Sequence, residues 1–106
     1  MRPNDLIVVY VTWPTKKQAD KALQILVKEK LVACAQIIQH ISSYYFWNNA
    51  FVKDTECFSL LKTRHGLFKK LEKRIQKLHS YEVPEIIALP VIESSRQYKN
   101  WVRSVL

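Results

Sequence analysis

A single glycine, Gly66, is all that this chain of 106 residues contains. One glycine cannot build a phosphate-cradling loop or a dinucleotide fingerprint, so any anion site must use side chains or helix ends. Cysteine is scarce too. Cys34 and Cys57 are too few for a disulfide framework and form no Cys-x-x-Cys pair, which points to a reducing compartment. Long hydrophobic runs are missing: Leu6 to Val11 is too short for a secretory core or a membrane span, so a soluble, cytoplasmic protein without membrane contact is expected. Acidic residues are few, 9 Asp and Glu against 17 Lys and Arg, for a formal net charge of +8. Apolar residues, by contrast, make up 48% of the chain, with 11% aromatic, enough to bury a core and to exclude disorder. No linker, low-complexity stretch or repeat divides the chain, and residues 1–106 read as one domain.

The apolar periodicity yields seven elements. Leu6 to Thr12 is a β-branched run that predicts a strand covered on both faces. Thr15 with Gln18 three residues on forms a capping box, and Ala19, Ala22, Leu23, Leu26 and Val27 recur at helical spacing up to about Lys30. Leu31 to Trp47 returns to strand chemistry, ending at Asn48-Asn49, a pair that tolerates positive φ and predicts a tight hairpin turn into a strand from Phe51 to Thr63. In that register His40 faces Cys57 and Cys34 lies near Thr63, about six residues away at ~3.4 Å each, which forbids an intramolecular disulfide. Beyond Gly66, a second helix carries Phe68, Leu71, Ile75 and Leu78 on one stripe and Lys69, Lys70, Lys73, Arg74 and Lys77 on the other. The segment from Lys62 to Lys77 holds seven basic residues and one acid, Glu72. A strand from Glu85 to Ile92 and a short helix with Tyr98, Trp101, Val102 and Val105 complete the order β-α-β-β-α-β-α. This order predicts an α+β, ferredoxin-like βαββαβ sandwich with a C-terminal helix. Two helices cover only one sheet face, and the long hairpin exceeds what one small domain can bury, so the other face predicts association.

The chemistry-bearing residues are fewer. His40, His65, His79 and the two cysteines fit no metal-ligand spacing; buried strand cysteines are the simpler reading, and a His40–Cys57 pair would be at most half a site. Asp5, Asp20, Glu29, Asp54, Glu56 and Glu72 read as solvated or capping residues, so no catalytic grouping emerges. One cluster stands apart. His79-Ser80-Tyr81-Glu82-Val83-Pro84-Glu85 places an imidazole, a phenol and carboxylates at the junction of a helix C-terminus and a strand, where Pro84 sets a bend toward a pocket. The basic helix face keeps RNA binding, or docking of acidic partners, as the alternative function; against RNA, the segment Thr55 to Leu61 has no glycine and only one aromatic, Phe58, where an RNA-recognition strand shows a basic, glycine-containing, aromatic-rich signature.

Several blocks together resemble one family. These are Ile7 to Thr12 followed by Pro14, Lys30 to Ile38, Ser43 to Trp47, Leu61-Lys62-Thr63, the run from His79 through Tyr81 to Pro90, and Tyr98-x-x-Trp101. Across essentially the whole chain they resemble the CutA divalent-cation tolerance family. The resemblance implies a stable homotrimer in which the long hairpin reaches a neighbour, a role in tolerance to divalent metals, and no enzymatic activity. It also implies a kinship of architecture with trimeric nitrogen-signalling proteins, and hence a small-ligand or signalling site in the clefts between subunits. By family pattern Trp47, Lys62, His79, Tyr81, Pro84 and Glu85 would line that cleft, with Lys62 meeting an anionic ligand that Tyr81 and Glu85 orient. No cofactor is required; copper or another divalent cation would bind weakly. Members that bind copper pair a first-strand cysteine with adjacent histidines, whereas this chain has Val11 and Leu78-His79, which leaves His79 as the one metal ligand. Members often show Pro-Gly where this chain has Gln39-His40, an acid-Gly turn where it has Asn48-Asn49, and Pro where it has Ser80.

Overall fold

The computed structural model describes residues 1–106. Strand β1 (Leu6–Trp13) is followed by α1 (Lys16–Lys28), β2 (Cys34–Trp47), β3 (Ala50–Arg64), a 3-10 turn (His65–Leu67), α2 (Phe68–Leu78), β4 (Ile86–Pro90) and α3 (Arg96–Ser104). The four strands form one sheet in the order β2-β3-β1-β4, every neighbouring pair antiparallel. The α+β class and the element order match expectation. Two boundaries contract: Leu31 to Ala33 form a connection rather than the start of β2, and β4 spans Ile86–Pro90 rather than Glu85 to Ile92. Pro90 lacks an N–H to continue a ladder, which suits the edge position of β4.

Helix α1 starts where Thr15 Oγ1 accepts from the Gln18 N–H at 3.1 Å. Its apolar stripe, Ala19, Ala22, Leu23 and Leu26, is buried against the sheet. The helix closes through Lys30, whose φ of 58° occupies the left-handed region usually given to glycine. The core gathers Ile7, Val9, Val11 and Trp13 of β1 with Cys57 and Leu61 of β3, and with Leu71 and Ile75 of α2. Arg74 on α2 makes a bidentate pair with Glu29, at 2.8 and 2.9 Å, just beyond α1. Both groups are well exposed, so the pair fixes geometry more than it adds stability. Helix α3 seats Val102 against Leu6 and Ala33, and its Tyr98 hydroxyl lies 3.2 Å from Cys34 Sγ.

The hairpin turn forms as expected, with φ of 51° at Asn48 and 62° at Asn49, both positive as a type I′ turn requires. Farther down, the register departs from expectation. Pairing runs from Trp47↔Ala50 to Ile41↔Glu56, then slips by one residue, so that Gln39 and His40 together oppose Cys57 and Cys34 pairs with Lys62 rather than Thr63. This β-bulge has His40 at φ 59°. Cys57 is buried toward the helices while His40 is exposed, so the two do not form a ligand pair. Both cysteines are free. Because a left-handed residue with a Cβ is strained, His40→Gly should raise stability by about 0.5–1 kcal/mol, read as a higher urea midpoint with an unchanged slope.

Above the bulge the hairpin extends past the helices and draws the molecule out to 44 × 26 × 23 Å. Its tip exposes Tyr44, Phe46 and Phe51 on one face and Tyr45 and Trp47 on the other. The sheet face away from α1 and α2 is apolar and open: Tyr10 packs on Phe58 at 5.3 Å, and Ile38, Ile87 and Leu89 remain exposed. No helix is long and apolar enough to cross a membrane.

Candidate functional site

The C-terminus of α2 turns the chain sharply. His79 donates its backbone N–H to the Ile75 carbonyl, then adopts an extended conformation that drives its imidazole inward against Trp13, ring centroids 4.5 Å apart and nearly parallel. Its Nε2 lies 2.7 Å from the Thr12 carbonyl oxygen, and its Nδ1 is 3.1 Å from the Tyr81 backbone nitrogen. A carbonyl can only accept and an amide N–H can only donate, so these partners assign the proton to Nε2 and the lone pair to Nδ1. Burial lowers the imidazole pKa, opposed in part by the Thr12 bond and the Glu56 charge, so the ring favours its neutral form. The resemblance implied His79 as a metal ligand; in this arrangement both ring nitrogens are engaged inside the fold, by Thr12 and Tyr81.

What His79 does is aim Tyr81. The Tyr81 ring sits 4.8 Å from the imidazole, and its hydroxyl donates to Glu56 Oε2 at 2.8 Å. Burial first, then this bond and the Glu56 charge, push the phenol pKa well above its ordinary value. The next turn is held by Gln18 of α1, whose amide accepts from the Ser80 N–H at 3.2 Å and donates to Ser80 Oγ at 3.0 Å. Glu56, only 5% exposed, corrects its reading as a solvated acid. It was detectable in sequence, since it heads the run Glu56-Cys57-Phe58-Ser59-Leu60-Leu61, which has no polar face to carry a solvated carboxylate.

Beside Glu56 an open cleft of about 690 Å³ lies between the hairpin and the loop after α2. Its lining includes Thr12, Tyr45, Trp47, Glu56, Tyr81, Glu82 and Glu85. Trp47, Tyr81 and Glu85 all lie in this lining. Pro84 is half-buried and outside the lining. Lys62 is elsewhere: it pairs with Val8 and Cys34 lower on β3, and its Nζ bonds Gln36 Oε1. The alternation of β3 sends its neighbour Leu61 into the core and Lys62 to the open sheet face, away from the cleft. Tyr45, which donates to Asp54 at 3.4 Å, and Glu82 complete a wall that single-residue spacing does not reveal. A groove along α1, lined by Lys16, Lys17, Lys21 and Lys28, is plain helix surface with Ile25 as its one apolar residue. Nowhere do three or more His, Cys, Asp or Glu side chains converge in a geometry that would hold a metal ion.

A family model described as CutA1 divalent ion tolerance protein matches residues 7–105. The divalent-cation tolerance protein CutA of Thermus thermophilus is 42% identical over 96 residues, 91% of this chain and 93% of that one. The crystal structure of CutA1 from Oryza sativa superposes with a TM-score of 0.93 at 36% identity, covering 95% of this chain and 93% of that one. Locations differ among relatives: the Arabidopsis thaliana protein, 39% identical over 92% of this chain and 54% of its own length, is named chloroplastic. The periplasmic divalent cation tolerance protein CutA from Archaeoglobus fulgidus superposes with a TM-score of 0.91 at 27% identity, covering 94% of this chain and 97% of that one.

Proposed function

The chain belongs to the CutA1 divalent ion tolerance family, and on that footing we propose that it is a homotrimeric binding protein, not an enzyme, whose acidic aromatic cleft is the ligand site. The observation that carries this reading is the open sheet face. Tyr10, Phe58, Ile38, Ile87 and Leu89 form an apolar surface on the face away from α1 and α2, continuous with a hairpin that projects aromatic residues beyond the domain. The strand order supports the ferredoxin-like arrangement, and three copies would cover three such faces at once. A binding role fits the cleft, where the one buried imidazole is spent on Thr12 and Tyr81. Contact with copper or another divalent cation is proposed as weak, since no group of three or more His, Cys, Asp or Glu side chains converges to hold one. The two unbridged cysteines support a reducing, cytoplasmic setting. We assign the exposed Lys69, Lys70, Lys73 and Lys77 face of α2 to the solubility of the assembly.

Light scattering after size exclusion tests the assembly. The expected species is three chain masses at micromolar concentration, and Ile38→Glu should convert it to monomer while keeping the far-UV spectrum. A parent chain that elutes as a monomer would overturn the reading.

A further inference from the structure

The cleft is anomalous in charge. A chain with 17 basic and 9 acidic residues places Glu56, Glu82 and Glu85 in the cleft wall and not one of its lysines or arginines. An anionic ligand would meet three carboxylates and no cation. Glu56 adds a separate demand. The residue is 95% withdrawn from solvent, its Oε2 accepts from Tyr81, and its Oε1 has no partner within the chain although it borders the cleft. Oε1 is not sealed away but keeps contact with the cleft, and an open oxygen on a carboxylate so largely withdrawn from water favours a hydrogen-bond donor from that side. The remaining wall is aromatic. Tyr45, Trp47 and Tyr81 supply the ring faces that attract an ammonium group and pack against alkyl carbon. Size and donor set weigh against a bare metal ion: about 690 Å³ accommodates a small organic molecule, and no metal-holding cluster of three ligands is present.

We propose that this cleft binds an organic ammonium ion, its N–H groups directed at Glu56 Oε1 and Glu85 and its alkyl chain against Trp47 and Tyr45. The proposal rests on the reading of the cleft as a ligand site and names the chemical class of the ligand. It replaces the anion that the family pattern would pair with Lys62.

Calorimetry and ¹H–¹⁵N spectra of the full-length protein, in its native assembly at low salt, test it with three probes. These are 1,4-diaminobutane, succinate as a dianion of matching length, and tetramethylammonium as a cation without N–H. The diamine should bind and shift the Trp47 indole and Tyr81 amide signals, with tetramethylammonium weaker by about tenfold because it cannot donate to Glu56. Glu56→Gln should weaken the diamine by about tenfold or more, since the amide keeps the size but loses the charge. If that variant does not fold, the exposed Glu85→Gln serves in its place and should weaken the diamine by about threefold or more. Lys62→Ala should leave binding unchanged. Succinate shifting the Trp47 and Tyr81 signals while the diamine does not would overturn the ammonium assignment and leave the ligand site standing. Silence from all three probes, as when a neighbouring copy fills the cleft, would overturn both. Diamine binding that ignores both glutamate substitutions would place it elsewhere and also sink the proposal.

Discussion

Trp13→Ala should lower the free energy of unfolding by about 3–5 kcal/mol, the range for deleting a large buried aromatic ring. Trp13 is fully buried at the end of β1 and joins two parts of the molecule. Its indole Nε1 donates to Ser59 Oγ at 2.9 Å, and Ser59 in turn donates to the Val11 carbonyl at 2.9 Å, which ties β1 to β3 through side chains as well as through the ladder. Its other role is as the surface on which His79 stacks. Removing it opens a cavity under the imidazole and frees the loop that carries Tyr81 and the cleft. Trp13→Phe retains much of the volume but strands the Ser59 side of the bond, and should cost about 1–2 kcal/mol. Urea titrations must be compared at one protein concentration, because association stabilises the folded state by mass action. Equal midpoints for the parent and Trp13→Ala would refute the joining role.

His79→Ala should cost about 2–4 kcal/mol near neutral pH, because it unpairs the buried Thr12 carbonyl and the Tyr81 N–H as well as losing the stacked ring. The effect has a pH signature. Burial lowers the folded-state pKa of His79 below its ordinary 6.5, so the unfolded chain takes up a proton more readily than the folded one. Stability tied to the neutral ring is fully present above that ordinary value and is lost as pH falls through the folded pKa. The parent should therefore weaken between about pH 7 and pH 5, and His79→Ala should show a shallower slope over the same window. Stability measured at several pH values in that range decides the matter. A metal-ligand role for His79 predicts something different: nearly unchanged stability without metal, and a loss only of metal-dependent stabilisation.

Local signals were read well where a few adjacent residues settle the conformation. Thr15 with Gln18 starts α1, and Asn48-Asn49 turns the hairpin, because capping and left-handed φ are properties of neighbours in the chain. The bulge at Gln39-His40 escaped the sequence because its left-handed position carries histidine where a glycine would have marked it. That one slipped residue moved the pairing of Cys34 from Thr63 to Lys62 and separated His40 from Cys57. Spacing marks His79 as a chemistry-bearing residue but does not reveal its partners. Its lone pair and its proton are claimed by Tyr81, two residues on, and by Thr12, 67 residues away, and the second of these is not readable from spacing.

The sequence by itself determined the order of strands and helices, the apolar stripes that bury them, the absence of a glycine-built anion loop and the kinship with the divalent-cation tolerance proteins. Each of these depends on periodicity, on nearby residues or on strings of identity. Only the tertiary structure decided the sign of the cleft. A net charge is a sum over the whole chain, whereas a ligand responds to the few groups within contact distance. β3 supplies Glu56 and the loop after α2 supplies Tyr81, Glu82 and Glu85, while strand alternation turns Lys62 to another face. In this way a chain with a net charge of +8 presents an acidic site.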